Sequence, residues 1–329
     1  MRSRPRALVT APLRGSGLDK LRQLVNVVYD PWISELEGGP LRIYSAEQLA
    51  ERITSESVDI VVVEADSVSG AVLQLGLRAI FSTRGDPNNV DIAGATAAGI
   101  PVLNTPARNA DAVAEMTVAL LLASTRHLLT ADADVRSGNI FRDGTIPYQR
   151  FRGWEIAGCT AGLVGLGAVG RATAWRLTGL GLRVIAHDPY CADARHGLAE
   201  LLAESDIVSL HAPVTDDTVG MIGAQQFASM RDGAVFLNTA RAQLHDTDAL
   251  VQALRAGKVA AAGLDHFVGE WLPTDHPLAS MPNVVLTPHI GGATWNTEAR
   301  QAQMVADGLQ ALLSGTRPTH ILNPEVLAR

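Results

Sequence analysis

The chain has 329 residues, of which 47% are hydrophobic and 19% charged, with a formal net charge of −7. This length allows two domains with separate cores, and the acidic balance without a basic block argues against nucleic acid as a main partner. Two cysteines exclude a disulfide framework and favour a reducing cytosol. We find no signal peptide, and the most apolar stretch, 118–123, is too short to span a bilayer. We therefore expect a cytoplasmic protein without a membrane partner.

Apolar runs alternate with helical patterns in the first part of the chain. One helix opens with a capping box, Ser45-Ala46-Glu47-Gln48, and extends to about Ile53. The alternation predicts a first doubly wound α/β domain. The predicted strands are 6–10, 25–29, 59–63, 78–82 and 101–103, and the other predicted helices are 18–24 and 90–98.

A long helix is predicted from Asn109, as its cap, to about Leu129. Its apolar stripe favours packing, with interdomain or dimer contacts as a second interpretation. Residues 131–153 are polar and are expected to form an irregular connection or dimer arm. The stripe consists of Val113, Met116, Thr117, Leu120 and Leu121.

A glycine motif follows at the centre of the chain. An apolar strand, 162–165, leads into Gly165, Gly167 and Gly170, which form G-x-G-x-x-G. A helical pattern and a second strand, 183–187, follow, and the unit has about thirty residues, as a dinucleotide-binding βαβ unit requires. The glycines allow a tight turn, close approach of a pyrophosphate and close helix packing. Asp188 ends the second strand, where a carboxylate binds the adenosine ribose and repels a 2′-phosphate, so NAD is favoured over NADP.

Polar residues follow several later strand ends. Arg241, Asp265 and His289 come after strands predicted at 234–238, 259–264 and 284–286. Because ligands bind at the carboxyl edge of an open α/β sheet, Arg241, Glu270 and His289 are expected to converge there. The remaining predicted elements are a strand at 207–210 and helices at 198–203, 224–230, 246–256 and 295–313.

The ordered set of motifs resembles the D-isomer-specific 2-hydroxyacid dehydrogenases, and within them the phosphoglycerate-dehydrogenase-like group. The resemblance covers nearly the whole chain. Its motifs are Asn104-Thr105-Pro106, Ala112-Val113-Ala114-Glu115, Gly165 to Gly170, Asn238-Thr239-Ala240-Arg241, Gly263-Leu264-Asp265 and Thr287-Pro288-His289. It implies two doubly wound parallel-sheet domains of Rossmann or flavodoxin-like type, with the active site in the cleft between them.

The family's roles fall on matching positions. The resemblance implies that Arg241 holds the substrate carboxylate and polarises the C2 oxygen, and that His289 is the acid/base. Glu270 is expected to orient His289 and to favour its imidazolium. The expected NAD-binding positions are Gly165, Gly167, Ala168, Val169, Gly170, Asp188, His211, Pro213, Thr239, Ala240, Arg241, Asp265, His289 and Gly291.

The substrate loop departs from the family pattern. Arg84, Gly85 and Asp86 are expected to bind substrate, but Asp86 and the proline after it replace part of a usual glycine-rich loop, so the substrate's identity stays open. No role follows from the sequence for His266, Trp271 or Trp295. No metal site is expected, because the remaining histidines lack metal-ligand spacing. They are His187, His196, His211, His245, His266 and His276.

The resemblance predicts a discontinuous substrate domain, 1–105 plus 296–329, and an NAD domain, 106–295, with hinges near 105 and 295. The expected reaction is hydride transfer between NAD(H) and C2 of a small anionic D-2-hydroxy or 2-keto acid, in a homodimer formed through the NAD domains. Three alternatives remain open. They are a formate-dehydrogenase-like activity, against which Glu270 argues; oxidation of phosphite or a hydroxyphosphonate; and a non-catalytic NAD sensor.

Overall fold

The computed structural model describes residues 4–33 and 41–328. Their contacts divide the chain into two units, Met1–Arg108 with Thr294–Arg329, and Asn109–Ala293. Each unit contains one parallel β-sheet with helices. The predicted class, two parallel-sheet α/β domains, is confirmed.

The first unit has a five-stranded parallel sheet in the order β2-β1-β3-β4-β5. Strands β3 and β4 are buried along their whole length, as is typical of a sheet covered on both faces. The elements are β1 (Arg6–Val9), α1 (Gly15–Leu24), β2 (Asn26–Tyr29), α2 (Ala46–Glu56), β3 (Ile60–Val63), β4 (Ala79–Ser82), α3 (Ile92–Ala97) and β5 (Val102–Leu103).

The capping box at the start of α2 is confirmed. The Ser45 hydroxyl accepts a hydrogen bond from the Gln48 N–H, and the Gln48 side chain accepts one from the Ser45 N–H at 3.0 Å. Two N–H groups that a helix end leaves without a partner are thereby satisfied.

The second unit has a six-stranded parallel sheet in the order β11-β10-β9-β8-β6-β7. Successive strands run outward in both directions from β6 and β8, so the strand order reverses beside the glycine motif. The elements are α4 (Ala110–Thr125), α5 (Leu128–Arg136), α6 (Pro147–Arg150), β6 (Thr160–Val164), α7 (Ala168–Gly179), β7 (Arg183–His187), α8 (Leu198–Glu204), β8 (Ile207–Leu210), α9 (Ala224–Ser229), β9 (Ala234–Asn238), α10 (Thr247–Arg255), β10 (Val259–Leu264), α11 (Pro277–Ser280) and β11 (Val284–Leu286).

The last helix, α12 (Trp295–Leu313), returns to the first unit and packs on α1. The contact is tight at Gly17, where a Cβ atom would lie 2.2 Å from the main-chain nitrogen of Gln303. The amide of buried Gln301 donates to the Pro12 carbonyl at 2.6 Å and accepts from Arg108 at 2.6 Å. The small size of Gly17 and the hydrogen bonds of the buried Gln301 amide therefore fix the position of α12 on α1.

The prediction of one helix from Asn109 to Leu129 is wrong. Helix α4 ends at Thr125, and His127 adopts a left-handed conformation with φ of 54° before α5 begins. Thr125 turns its hydroxyl back to the Leu121 carbonyl at 2.8 Å, and its own carbonyl accepts the Trp154 N–H. Such local bonds compete with helix continuation. Asn109 occupies the N-cap position without a capping side-chain bond.

The expectation of an irregular segment at 131–153 is correct for 137–146 and 151–153 but wrong for the rest, which belongs to α5 and α6. Asp134 organises this segment: its carboxylate pairs with Arg150 at 3.0 Å and with Arg142 at 3.2 Å. The segment is therefore folded on itself.

Most of the apolar stripe of α4 is buried inside the second unit. Val113, Thr117, Leu120 and Leu121 are buried, and Met116 is partly buried. The packing interpretation is confirmed, and the stripe offers little exposed surface to a partner.

Among the described residues, no single helix has the length and apolarity to cross a membrane. Helices α4 and α5 reach those limits only when they are taken together, and they are bent by 65° where they meet.

Candidate active site

The three glycines of the motif differ in what surrounds them. Gly165 has φ of +98°, and a Cβ there would lie 2.6 Å from the main-chain nitrogen of Ala212. A Cβ on Gly170 would lie 2.2 Å from the Gly165 carbonyl oxygen, whereas one on Gly167 would meet nothing within 4 Å. Two glycines are thus required by packing, and the middle one opens the backbone at the start of α7. A pyrophosphate fits this arrangement.

Ala168 and Val169 are the first residues of α7, where the main-chain N–H groups have no partner within the helix. Asp188, at the end of β7, is tied to the same loop. One of its oxygens accepts the Leu166 N–H at 2.8 Å, and the other accepts the Tyr190 N–H at 2.9 Å. The carboxylate therefore holds the glycine loop, a contact that the spacing alone did not predict.

His211 and Pro213 follow β8. The Nε2 atom of His211 lies 3.0 Å from the Ser209 hydroxyl, while its Nδ1 atom is buried without a hydrogen-bond partner. Burial lowers the pKa of His211 to about 4. The Pro213 carbonyl accepts a hydrogen bond from Thr218. The main chain of His211 therefore lies beside Gly165, and burial of its ring favours the neutral form.

The turn after β9 is fixed by the buried amide of Asn238. Its nitrogen donates to the Arg241 carbonyl at 2.8 Å, and its oxygen accepts the Ala240 N–H at 3.0 Å. The Thr239 hydroxyl lies 2.8 Å from that of Thr117 in α4. The side chain of Arg241 is exposed and donates to the Ala240 carbonyl at 2.6 Å. The hydrogen bonds of Asn238 thus hold the turn rigid, and the Arg241 guanidinium at its end is exposed.

Asp265 is 1% exposed and organises the loop after β11. One of its oxygens accepts the Thr287 hydroxyl at 2.5 Å and the Ile290 N–H at 2.9 Å, and the other accepts the Gly291 N–H at 2.7 Å. Its main-chain carbonyl accepts the His289 N–H at 2.8 Å. The residue expected to contact the cofactor therefore also positions His289.

Glu270 and His289 form a hydrogen-bonded pair. The Nδ1 atom of His289 lies 2.8 Å from a carboxylate oxygen of Glu270, with both side chains partly exposed to solvent. Both residues have left-handed backbones, with φ of 56° and 55°. Such a conformation is uncommon for residues other than glycine and clusters at functional sites. With Nδ1 occupied by Glu270, Nε2 is the ring nitrogen left for a reacting group.

His266 packs against His289. The centroids of the two rings are 3.9 Å apart, and His266 is 5% exposed with a buried Nδ1 atom that has no hydrogen-bond partner. Burial, and then the positive charges of His289 and Arg241, lower the pKa of His266 to about 4. Apart from its position one residue after Asp265, nothing in the sequence pattern indicated this contact.

The predicted substrate residues lie in the first unit, in the loop after β4. Arg84 donates to the Glu64 carbonyl and to the Asn88 side chain, both at 2.6 Å, while Gly85 and Asp86 are exposed. Trp295, also in this unit, lies under the Arg14 guanidinium at 4.1 Å. Trp271 of the second unit is exposed.

The structure thus gathers the predicted residues of the second unit at the carboxyl ends of its strands. The glycine loop and Asp188 follow β6 and β7, and His211 follows β8. Arg241, Glu270 and His289 follow β9, β10 and β11. Two residues support the site through tertiary contacts that the sequence did not predict. Thr117, predicted only as part of the packing stripe of α4, contacts Thr239, and Thr287 donates to Asp265.

Comparison with known proteins identifies the family of the chain. Residues 118–291 match the family model described as D-isomer specific 2-hydroxyacid dehydrogenase, NAD binding domain. A glyoxylate reductase from Thermofilum pendens is 36% identical over 99% of this chain and 96% of its own. A D-3-phosphoglycerate dehydrogenase from Archaeoglobus fulgidus is 35% identical over 85% of this chain and 54% of its own.

A solved structure, that of the TT0316 protein from Thermus thermophilus, has a TM-score of 0.81 and 35% identity, covering 96% of this chain and 99% of its own. The predicted family and NAD cofactor are confirmed, and these relatives give no support to a phosphonate oxidase or an NAD sensor. The chain belongs to the D-isomer specific 2-hydroxyacid dehydrogenase family, and it is an NAD-dependent oxidoreductase that transfers hydride between the cofactor and a 2-hydroxy or 2-keto acid.

Proposed function

We propose that this enzyme reduces a short 2-keto acid, with glyoxylate the first candidate, and that Arg241, Glu270 and His289 carry the reaction. The hydrogen bond of 2.8 Å between His289 and Glu270 is the observation on which the proposal depends. The glyoxylate reductase from Thermofilum pendens, at 36% identity, supports the choice of a small substrate.

Arg241 has the chemistry to bind an α-keto acid. Its guanidinium has five N–H donors in a fixed fork, and the bond to the Ala240 carbonyl uses one terminal nitrogen. The remaining donors suit a carboxylate and the neighbouring C2 oxygen. This contact both orients the substrate and polarises the carbonyl that is reduced.

His289 and Glu270 supply the proton. When bound, NADH supplies the hydride to C2. The Nε2–H of the His289 imidazolium donates its proton to the C2 oxygen, and in the reverse direction neutral Nε2 removes the hydroxyl proton. The Glu270 carboxylate, bonded to Nδ1, stabilises the imidazolium and fixes the ring.

The two units have separate roles in this proposal. The second unit binds NAD, which the family match over 118–291 supports. It also supplies Arg241 and His289, and we assign the other substrate contacts to the first unit, with Arg84, Gly85 and Asp86 as the candidate residues. The two free cysteines, Cys159 and Cys191, suit the reducing environment of the cytoplasm, where we place the enzyme.

We also propose a homodimer formed through the second unit. Large apolar side chains are exposed between 128 and 154. Two more, Trp175 on α7 and Leu180 directly after it, border a groove of about 400 Å³ beside α4. Exposed large apolar side chains concentrated in one part of a unit are typical of an interface between chains. The exposed residues of the segment are Leu128, Leu129, Val135, Ile140, Phe141, Ile146, Tyr148 and Trp154.

We expect NADH oxidation when the enzyme is mixed with glyoxylate or a slightly larger 2-keto acid. His289→Ala should lower turnover about a hundredfold or more, the usual contribution of general acid–base catalysis, with NADH binding retained. Absorbance at the NADH band measures both the turnover and the binding of NADH. Failure of the whole series of 2-keto and 2-hydroxy acids, or full activity of His289→Ala, contradicts the proposal.

Glu270→Gln should shift the pH–rate profiles of both directions to lower pH. Keto-acid reduction needs the imidazolium of His289, so its rate falls as the pH rises, and loss of the Glu270 charge makes the imidazolium less stable. The rate of hydroxy-acid oxidation rises over the same range. Asp275→Asn removes a carboxylate a few residues further along the chain and serves as the control. Superimposable profiles of wild type and Glu270→Gln would show that the pair is not coupled.

Asp188 should set the preference for NAD over NADP. Asp188→Asn keeps an acceptor oxygen for the glycine loop but removes the charge that repels a 2′-phosphate. The ratio of kcat/KM for NADPH to that for NADH should rise about tenfold, equivalent to about 1.4 kcal/mol. Asp188→Ala should also raise this ratio, but it should weaken the binding of both cofactors. Equal use of both cofactors by wild type contradicts the prediction.

Sedimentation at micromolar concentration should give a dimer. Phe141→Glu and Trp175→Glu place charges on the proposed interface and should shift the equilibrium towards monomer. Tyr190→Glu is the matched control, since Tyr190 is a highly exposed aromatic residue of the same unit outside that surface. A monomeric wild type, or loss of the dimer only in Tyr190→Glu, would refute the assignment.

A further inference from the structure

We propose that His266, Glu270 and His289 form a zinc site, and that zinc bound there reversibly switches the enzyme off. One ring nitrogen from each histidine and one Glu270 oxygen lie within 4.8 Å of one another. Two imidazoles and a carboxylate are a ligand set that Zn²⁺ binds. The predicted inhibition rests on the proposed function, whereas the predicted binding of zinc does not depend on it.

The geometry is close to that of an occupied site. Bonds of about 2.1 Å in a tetrahedron place ligand atoms about 3.4 Å apart. The widest pair therefore has to approach by about 1.4 Å at most, a movement available to the Glu270 side chain, which is 58% exposed. His266, by contrast, is held in the core and serves as the fixed ligand.

An unsatisfied nitrogen supports the assignment. The Nδ1 atom of His266 is buried without a hydrogen-bond partner among the described residues, and its ring packs against that of His289. A buried polar atom in this state calls for a ligand, a water or a functional explanation.

The charges around the site are mixed. The positive charge of Arg241 acts on His266 and disfavours a cation. The carboxylate of Asp265 acts on the same ring in the opposite sense, and Glu270 supplies a second negative charge as a ligand. The carboxylates therefore outnumber the guanidinium at the site.

Occupancy blocks proton transfer directly. Zinc takes the Glu270 oxygen and a His289 nitrogen, and the proton that the pair shares leaves to solvent. His289 can then no longer donate a proton to a keto oxygen. The inhibition should be relieved by a chelator, because no covalent bond within the protein is made or broken.

The first arm of the test measures activity. Zn²⁺ added to the full-length enzyme with NADH and keto acid should inhibit it, and EDTA should restore the rate. For His266→Val, normalised to its own zinc-free rate, the inhibitory concentration should rise at least tenfold, the scale on which a lost metal contact acts. Mg²⁺, which prefers oxygen ligands, should not inhibit. Equal sensitivity of wild type and His266→Val overturns the proposal.

The second arm measures binding without activity. Calorimetric titration with Zn²⁺ should show one strong site, and its affinity should fall at least tenfold in His266→Val and in Glu270→Gln. The Glu270 side chain is exposed, so Glu270→Gln is not expected to disturb folding. Glu200→Gln is the control, because His196, Glu200 and Glu204 form another group of metal-ligand type on the surface. Zinc binding that only Glu200→Gln removes would refute the site. The binding measurement tests the zinc site even if the enzyme reduces no keto acid.

Discussion

The buried carboxylate of Asp265 is the constraint on which the site depends. Removing a charge from water costs several kcal/mol unless hydrogen bonds replace the lost hydration. Here the Thr287 hydroxyl and the N–H groups of Ile290 and Gly291 replace it. The same three bonds force the chain after β11 to fold back over the end of β10, and His289 lies inside that loop. A Cβ on Gly291 would lie 2.8 Å from the carboxylate, so only glycine fits there.

Asp188 repeats this arrangement at the other end of the sheet. Its carboxylate accepts the Leu166 N–H and so fixes the loop in which Gly165 takes its left-handed turn. In both places a carboxylate at the end of a parallel strand holds the neighbouring loop by its main chain. A loop needs such partners because its N–H groups lack the regular bonds of a sheet or helix. The glycine loop and the loop that carries His289 are therefore both held rigid by the sheet.

The sequence predicted the strands well because buried parallel strands are short, continuous apolar runs, such as 60–63 and 207–210. It also predicted the pairing of Glu270 with His289, since the family pattern places both after neighbouring strands. The break after Thr125 was not predictable. It depends on the Trp154 N–H, which comes from a distant part of the chain. The contact of His266 with His289 could not be predicted from the sequence either, because it depends on how the loops after β10 and β11 pack together.

The left-handed backbones of Glu270 and His289 show why these loops have to be rigid. Such a conformation costs roughly 1–2 kcal/mol for each residue, or about 2–4 kcal/mol for the two. The bond between the two side chains joins largely exposed groups, and a pair of this kind contributes only about 0–1 kcal/mol, so it cannot hold the geometry by itself. The remaining stability comes from the main chain: His289 N–H donates to the Asp265 carbonyl at 2.8 Å, and Glu270 N–H to that of Phe267 at 3.0 Å. Because these bonds involve only main-chain atoms, they remain when the side chains change, and the position of the two residues does not depend on the charge of Glu270.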